Sequence, residues 1–319
     1  MVMGAARVMK GDGIRMKVLV TGGAGFIGSH IVKRLLQKQC EVVVIDDLST
    51  GSLRNLTQKQ ICIQMDIRSE KVLELCRTER FDAVIHLAAQ TMVPASIKKP
   101  VYDCEVNIAG TLNILEAARQ TGVKRVIFSS TAAVYGNVSA IPVKEHALLQ
   151  PTSFYGLSKL TAERYLQIYS QLYGIEHVIL RYANVYGERQ GDFGEGGVIS
   201  IFLRKIYHNM PVIIFGDGGQ TRDFVYAGDV AEANYLALQS EHVNTVYNIG
   251  TQTETSVNAL LDILETISQK PVEREYNKIR AGDIYRSSLC SEAAAAGLYW
   301  KAQTTLEDGL IKTYAALNF

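Results

Sequence analysis

Hydrophobic residues fall in short continuous runs along the first 185 positions, and longer amphipathic stretches separate these runs. Continuous Val, Ile and Leu runs, as opposed to alternating ones, predict strands that are buried on both faces. Such strands are predicted at 17–20, 41–46, 61–66, 83–88, 125–130 and 177–181. Helices are predicted between them at 26–37, 69–78, 99–121 and 153–173. This alternation predicts an α/β fold, a doubly wound parallel sheet of the Rossmann type.

The pattern becomes less regular after residue 185, where a Gly-rich segment at 191–197 leads into a second set of elements. Helices are predicted near 198–208, 228–240, 256–268, 290–297 and 305–317, with strands at 212–215 and 245–250. We interpret 16–185 as the sheet domain, to which elements near 223–250 return, and 186–319 as mainly a smaller substrate-binding lobe. Residues 1–15 form an extension with no assigned role.

Composition argues against several classes of function. The 319 residues are 47% hydrophobic and 20% charged, which is ordinary for a globular protein. A net charge of +1 without a basic block does not indicate a nucleic-acid surface, and no apolar stretch is long enough to predict a membrane span. The five cysteines and six histidines lack metal-ligand spacing, so we expect no metal site and reduced thiols, as in the cytoplasm.

The segment "VTGGAGFIGSH" (20–30) joins the first predicted strand to the first predicted helix. Its glycines have the spacing of a dinucleotide-binding turn. Gly22 would form the tight turn, Gly25 would let the backbone approach a pyrophosphate, and Gly28 would let the helix pack closely on the sheet.

An acidic residue at the end of the second predicted strand extends this pattern. Asp46 follows Gly28 by 18 residues, where a carboxylate accepts a hydrogen bond from a ribose 2′-hydroxyl and repels a 2′-phosphate. The spacing therefore favours NAD over NADP. Asp47 is an alternative ribose ligand, and Asp66, after the third strand, is a weaker candidate for contact with adenine.

Tyr155 and Lys159 lie four residues apart in a predicted helix and therefore on the same face. A free tyrosine has a pKa of about 10 and is a poor base at neutral pH. A neighbouring ammonium group and a positively charged nicotinamide ring would stabilise the phenolate and lower that pKa. The pair is thus a candidate general base with its supporting cation.

Several further segments carry a resemblance to a known family. They are "IDDLSTG", "HLAAQ", "FSSTAAVYG", "YGLSK", "RYANVYG", "GEGGVISIF", "FGDGGQTRDFVYAGDV" and "RAGDI". With the glycine-rich turn, they resemble the extended short-chain dehydrogenase/reductase family, and within it the nucleotide-sugar epimerases of the UDP-glucose 4-epimerase type, from about Met16 to the C-terminus. Glu188 departs from the pattern, since relatives often have proline there.

The resemblance implies roles for individual residues. Tyr155 would be the base, Lys159 would hold the nicotinamide ribose, and Thr131 would bind the reacting hydroxyl. The implied NAD contacts are Gly22, Gly25, Phe26, Ile27, Gly28, Asp46, Asp47, Asp66, Ile67, Leu87, Ala88, Ala89, Asn107, Ser129, Tyr155, Lys159 and Tyr182. The implied UDP-sugar contacts are Thr131, Asn184, Val198, Phe215, Arg222, Arg280, Asp283 and Ser287.

The residues after Thr131 distinguish among the activities of this family. Dehydratases need an additional acid and base there, but Ala132 and Ala133 cannot transfer a proton. The remaining catalytic groups, one base and one bound hydride acceptor, suit oxidation of a UDP-hexose at C4 followed by re-reduction. A dehydratase or decarboxylase, and a non-catalytic NAD-binding sensor, are the alternatives. The sensor is expected to lack the tyrosine or the lysine, and both are present.

Two finer expectations follow from the resemblance. Ser287 would line the pocket beside the sugar's C2 substituent and leave room for an N-acetyl group, unless Tyr285 swings into its place or the segment is a surface turn. A homodimer is expected through apolar stripes on the helices at 99–121 and 153–173, unless these stripes face only the sheet. The stripes are Ile108, Leu112, Leu115, Ala118, Leu160, Tyr165, Ile168 and Leu172.

Overall fold

The computed structural model describes residues 15–57, 59–191, 197–279 and 284–317. Its strands are β1 (Lys17–Thr21), β2 (Glu41–Asp46), β3 (Ile61–Gln64), β4 (Ala83–His86), β5 (Arg125–Thr131), β6 (Glu176–Tyr182), β7 (Asn184–Tyr186), β8 (Val212–Phe215), β9 (Thr221–Arg222), β10 (Phe224–Tyr226), β11 (Thr245–Ile249), β12 (Thr255–Ser256) and β13 (Arg274–Asn277). Its α-helices are α1 (Phe26–Gln37), α2 (Lys71–Glu79), α3 (Val93–Lys98), α4 (Pro100–Cys104), α5 (Gly110–Thr121), α6 (Phe154–Tyr173), α7 (Val198–Tyr207), α8 (Ala227–Gln239), α9 (Val257–Ser268), α10 (Glu292–Gly297) and α11 (Leu306–Ala315).

Seven parallel strands form the central sheet in the order β11-β6-β5-β4-β1-β2-β3. The buried Val and Ile runs form these strands because both faces of the sheet are covered. Helices α1 and α8 pack on one face, and α2, α5 and α6 pack on the other. The predicted doubly wound fold is confirmed. The strand order reverses direction between β1 and β4, where ligands bind in such sheets.

The predicted helix at 99–121 is not one regular helix. Helix α4 ends at Cys104, a π-helical turn spans Glu105–Ala109, and α5 continues from Gly110. A π turn accommodates one extra residue and rotates the side chains that follow. It places Asn107 in the buried layer between α5 and α6.

The later part of the chain builds a second hydrophobic core, to which α7, α9, β8 and α11 contribute. Part of this region returns to the central sheet, since β11 pairs with β6 and α8 packs on α1. These positions agree with the elements expected to return near 223–250, while the division into domains itself stays a prediction. Within the described part of the chain, no helix combines the length and apolar character needed to cross a membrane.

Candidate active site

A cavity of about 570 Å³ opens at the carboxyl ends of the central strands. The segments that follow β1 to β6 all contribute to its wall. The predicted residues that line it are Gly22, Gly25, Phe26, Ile27, Gly28, Asp46, Asp47, Asp66, Ile67, Leu87, Ala88, Ala89, Ser129, Thr131, Tyr155, Lys159, Tyr182 and Asn184. Residues far apart in the sequence are thus brought together at the edge where the parallel strands end.

The glycine-rich turn leaves no room for side chains at two positions. Gly22 has φ of +70°, and a Cβ there would lie 2.8 Å from the backbone nitrogen of Ala88. A Cβ on Gly28 would overlap the backbone carbonyl of Gly22. Helix α1 begins next to this turn with Gly25 as its N-cap and no side-chain cap, so its first N–H groups are free to bind phosphate.

Asp46 fixes the glycine-rich turn through hydrogen bonds. Its Oδ2 accepts a hydrogen bond from the backbone N–H of Ala24 at 2.9 Å, and its Oδ1 accepts one from Leu48 at 2.9 Å. Gly25 of the turn makes a further backbone contact with this carboxylate. A carboxylate has about four acceptor positions, so at least one remains for a ribose hydroxyl. Asp47 is exposed, and its Oδ1 accepts from the backbone and hydroxyl of Ser49. The turn, the helix terminus and Asp46 together fit a dinucleotide that lacks a 2′-phosphate.

Asp66 lies on the same wall of the cavity as Asp46. Nε of Arg68 is 3.0 Å from both of its carboxylate oxygens, and this pairing lowers the pKa of Asp66. The guanidinium of Arg68 also lies over the ring of Tyr102, 5.6 Å from its centroid. Asp66 is therefore held as a carboxylate with a fixed orientation at the end of the cavity formed by the segments after β2 and β3.

Asn107, an implied NAD contact, is buried behind the cavity wall and does not line it. Its Oδ1 accepts from the backbone N–H of Gln90 at 2.8 Å, and its Nδ2 donates to Oγ of Ser158 at 3.0 Å. It thus positions two cavity segments, the loop after β4 and the first turns of α6. Ser129 and Tyr182 are also joined, with their hydroxyl oxygens 2.9 Å apart.

The candidate catalytic residues come from two adjacent elements. Thr131 ends β5, and Tyr155 and Lys159 lie in the first turns of α6, where Ser153 is the N-cap and accepts from the backbone N–H of Gly156. A Cβ on Gly156 would lie 2.6 Å from the carbonyl oxygen of Ala133. The glycine therefore allows the start of α6 to lie directly against the turn that follows Thr131.

Burial disfavours the charged forms of Tyr155 and Lys159 in this part of the cavity, unless a ligand supplies a counter-charge. Burial raises the pKa of Tyr155 to about 12, although a side-chain hydrogen bond with Thr131 lowers it. Lys159 is 3% exposed, with Nζ 4.2 Å from the centroid of the Phe128 ring, and burial lowers its pKa to about 7. A positively charged group bound beside Tyr155 would favour its phenolate.

The implied substrate residues are brought together only in part. Asn184 and Thr131 line the cavity, whereas Val198, Phe215, Arg222 and Ser287 do not. Arg222 donates from Nη1 to the carbonyl of Thr221, and Phe215 ends β8 in the smaller lobe. Arg280 and Asp283 lie outside the described residues. The nucleotide end of the site therefore stays a prediction.

Gln190 is a cavity residue that the sequence pattern did not identify. Its Nε2 donates to the carbonyl of Val185 at 3.2 Å, which fixes the orientation of the amide. Its Oε1 is then a buried acceptor with no partner among the described residues. The available signal was a polar residue between a short strand and the Gly-rich segment, and this signal is weak.

Comparisons of sequence and of structure with known proteins lead to the same family. The sequence profile of the NAD dependent epimerase/dehydratase family matches residues 18–250. The chain belongs to this family. The UDP-glucose 4-epimerase of Mycolicibacterium smegmatis is 38% identical over 304 residues, which cover 93% of this chain and 97% of that protein.

Two solved structures are similar to this chain over nearly its whole length. The UDP-glucose 4-epimerase of Thermotoga maritima with UDP-glucose has a TM-score of 0.92 and 41% identity, covering 94% of this chain and 98% of that chain. The UDP-glucose 4-epimerase of Thermus thermophilus in complex with NAD has a TM-score of 0.89 and 41% identity, with the same coverage of 94% and 98%. The resemblance of the motifs to extended short-chain dehydrogenase/reductases is confirmed.

Proposed function

We propose that this protein catalyses the NAD-dependent 4-epimerisation of a UDP-hexose, interconverting UDP-glucose and UDP-galactose. One observation carries the proposal: Thr131, Tyr155 and Lys159 line the same cavity as the dinucleotide-binding turn. The similar proteins bound to NAD and to UDP-glucose support the same cofactor and substrate class.

Three residues of the chain, Tyr155, Thr131 and Lys159, would take part in proton transfer. The glycine-rich turn, Asp46 and Lys159 would hold NAD, which would supply reversible hydride transfer at C4 of the sugar. Tyr155, as phenolate, would take the proton of the C4 hydroxyl and later give it back. Thr131 would orient that hydroxyl through its hydrogen bond with Tyr155, and the ammonium group of Lys159 would stabilise the phenolate.

The surroundings of Tyr155 favour epimerisation over dehydration. Among the described residues, the acidic side chains that line the cavity are Asp46, which ends β2, Asp47, which follows it, and Asp66, which comes after β3. Ala132 and Ala133 form a short 3₁₀ turn after Thr131 and bring no proton donor. Elimination of a sugar hydroxyl needs an additional acid and base, which this part of the site does not supply.

The experiment compares the same substitution at two places in α6. We expect Tyr155→Phe to retain NAD and to lower the rate of epimerisation by at least about 10²-fold. Tyr169→Phe is the matched control, because Tyr169 donates to Glu116 of α5 and does not line the cavity. Near-normal turnover of Tyr155→Phe would remove this residue from the mechanism.

The range of sugars is a finer proposal. We infer that UDP-GlcNAc and UDP-GalNAc are also accepted, because the resemblance assigns Ser287, a small residue, to the position beside C2. Tyr285 is 49% exposed, and its hydroxyl is 3.4 Å from Asp217 Oδ2, outside the cavity lining. Tyr285 therefore does not enter the cavity. Ser287 also lies outside the lining, so its place beside C2 rests on the resemblance.

We also infer a homodimer that forms through α3, α4 and α6. These helices expose large apolar side chains, of which Val101 is 69% exposed and Leu172 is 67% exposed. Two members of the expected stripes are corrected, because Leu115 and Ala118 are buried against the sheet, on the inner side of α5. Ile168 and Leu172 of the expected stripes are exposed, and Ile97 and Leu157 add to this surface.

The cytoplasm is the proposed compartment. All five cysteines, Cys40, Cys62, Cys76, Cys104 and Cys290, are free. Burial raises the pKa of the Cys76 thiol to about 11, which makes it unreactive. Free thiols support a reducing environment.

A further inference from the structure

Lys159 is a buried cation whose charge the chain must stabilise. Removing an ammonium ion from water favours its neutral form, and a neutral amine would not stabilise the Tyr155 phenolate. Lys159 interacts electrostatically with Glu163 on α6, Asp103 on α4 and His86 on β4. Tyr155 precedes Lys159 by one helical turn on α6, and Arg181 on β6 pairs with Glu163. Burial lowers the pKa of His86 to about 3, so that His86 is neutral.

Glu163 is fixed by hydrogen bonds from two strands. It lies one helical turn after Lys159, on the same face of α6, and is 1% exposed. Its Oε1 accepts from Ser130 Oγ and from Nε of Arg181 at 2.9 Å, and its Oε2 accepts from Nη2 of Arg181 at 2.6 Å. Ser130 precedes Thr131 and lines the cavity.

Asp103 lies on α4, which packs against α6, and is also 1% exposed. Its Oδ1 accepts from Nε2 of Gln90 at 2.8 Å and from Nδ2 of Asn107 at 3.2 Å. The same Nδ2 donates to Ser158, the residue before Lys159. Neither hydrogen-bond donor is charged, so the negative charge of Asp103 is not cancelled by these contacts.

We propose that Asp103 and Glu163 are positioning residues of the reaction, whose buried carboxylates hold Lys159 as an ammonium ion on the wall of the cavity. The kinetic part of this inference rests on the proposed epimerase function, whereas the ionisation of Lys159 does not.

The two carboxylates act differently on the catalytic pair. Both raise the pKa of Lys159 against the effect of burial. Asp103 also raises the pKa of Tyr155, while Glu163 is not among the groups that shift it. Removing the charge of Asp103 should therefore ease ionisation of Tyr155 and at the same time favour loss of the proton from Lys159. Removing that of Glu163 should act on Lys159 and leave Arg181 as an uncompensated neighbouring cation.

The test follows the ionisation of Lys159 directly in the NAD-loaded protein. Lysine labelled with ¹³C at Cε is titrated by NMR, and the Lys159 signal is assigned with Lys159→Met. We expect Glu163→Gln and Asp103→Asn each to lower the titration midpoint of Lys159 by at least about one pH unit, the lower end of the effect of a nearby opposite charge. Glu176→Gln is the matched control, because Glu176 pairs with Arg125 at the other end of β5 and β6.

The pH profile of kcat for UDP-glucose gives the second readout. The basic limb should move to lower pH in both variants, and the acidic limb should move to lower pH only in Asp103→Asn. If the titration midpoint of Lys159 is unchanged in one of the variants, the carboxylate removed in that variant does not hold Lys159 as an ammonium ion. If the midpoint shifts but the limbs of the pH profile do not move, that carboxylate has no importance for turnover. If UDP-hexoses are not substrates, the NMR titration still decides the charge of Lys159, so the two failures are distinguishable.

Discussion

Replacing Asp46 with asparagine should weaken NAD binding and relax the discrimination against NADP. The carboxylate accepts backbone N–H groups of Ala24 and Leu48, both at 2.9 Å. An asparagine side chain has one acceptor oxygen, so one of these N–H groups would face an amide donor. A ribose hydroxyl that donates to the carboxylate would meet a neutral amide instead. Losing a hydrogen bond to a charged group costs about 1.5–3 kcal/mol, which corresponds to roughly a 10- to 100-fold loss of NAD affinity.

The NADP side of the prediction comes from charge. Asp46 presents its carboxylate at the end of β2, where the adenosine ribose would lie. Asparagine removes its repulsion of a 2′-phosphate, so the ratio of NAD to NADP affinity should fall at least about tenfold.

Calorimetric titration of cofactor-stripped protein with NAD and with NADP measures both effects. Asp47→Asn is the control, since Asp47 is exposed and its Oδ1 accepts only from Ser49 among the described residues. NAD affinity within about threefold of wild type in Asp46→Asn, or a larger loss in Asp47→Asn, would refute the assignment of the ribose contact to Asp46.

Three further predictions test separate parts of the structure. Ser287→Tyr should lower kcat/KM for UDP-GlcNAc about 10- to 100-fold relative to UDP-glucose through overpacking, and equal effects on both substrates would exclude the proposed pocket position. Leu172→Asp should convert a dimer to a monomer in light scattering at micromolar concentration, and a monomeric wild type would contradict the proposed interface. Burial lowers the pKa of His177 to about 4, so the unfolded state binds a proton first and the free energy of unfolding falls as pH drops from 7 to 5. This residue contributes about 2 kcal/mol to that loss, and His177→Gln should remove it in urea denaturation, whereas an unchanged pH dependence would contradict it.

The central sheet was predictable because its strands are buried on both faces. The run at 41–46 became β2 with the same bounds, and the stretch at 153–173 became α6 with one residue less. Helix α5 was harder to predict, because the π turn at Glu105–Ala109 changes which side chains face inward. Leu115 and Ala118 therefore could not be assigned to the sheet or to a partner from periodicity alone.

The residues of the site also differ in how well the sequence predicts them. The glycine turn, Asp46 and the Tyr155–Lys159 pair are local patterns that one strand–turn–helix or one helix face creates. Gln190 reaches the cavity through a contact with Val185 that depends on how the loop after β7 folds. Glu163 follows Lys159 by one helical turn, but its orientation depends on Ser130 of β5 and Arg181 of β6. Asp103 acts on Lys159 only when α4 packs against α6, so neither carboxylate belongs to a recognisable motif.

The most direct test of the account follows the hydrogen at C4 of the sugar. The protein with its bound NAD is incubated with UDP-glucose carrying deuterium at C4, and the products are separated by chromatography and analysed by mass spectrometry. Oxidation and re-reduction within one cavity predict UDP-galactose that retains the deuterium at C4. No UDP-galactose, loss of the deuterium, or accumulation of a dehydrated 4-keto sugar would contradict the account.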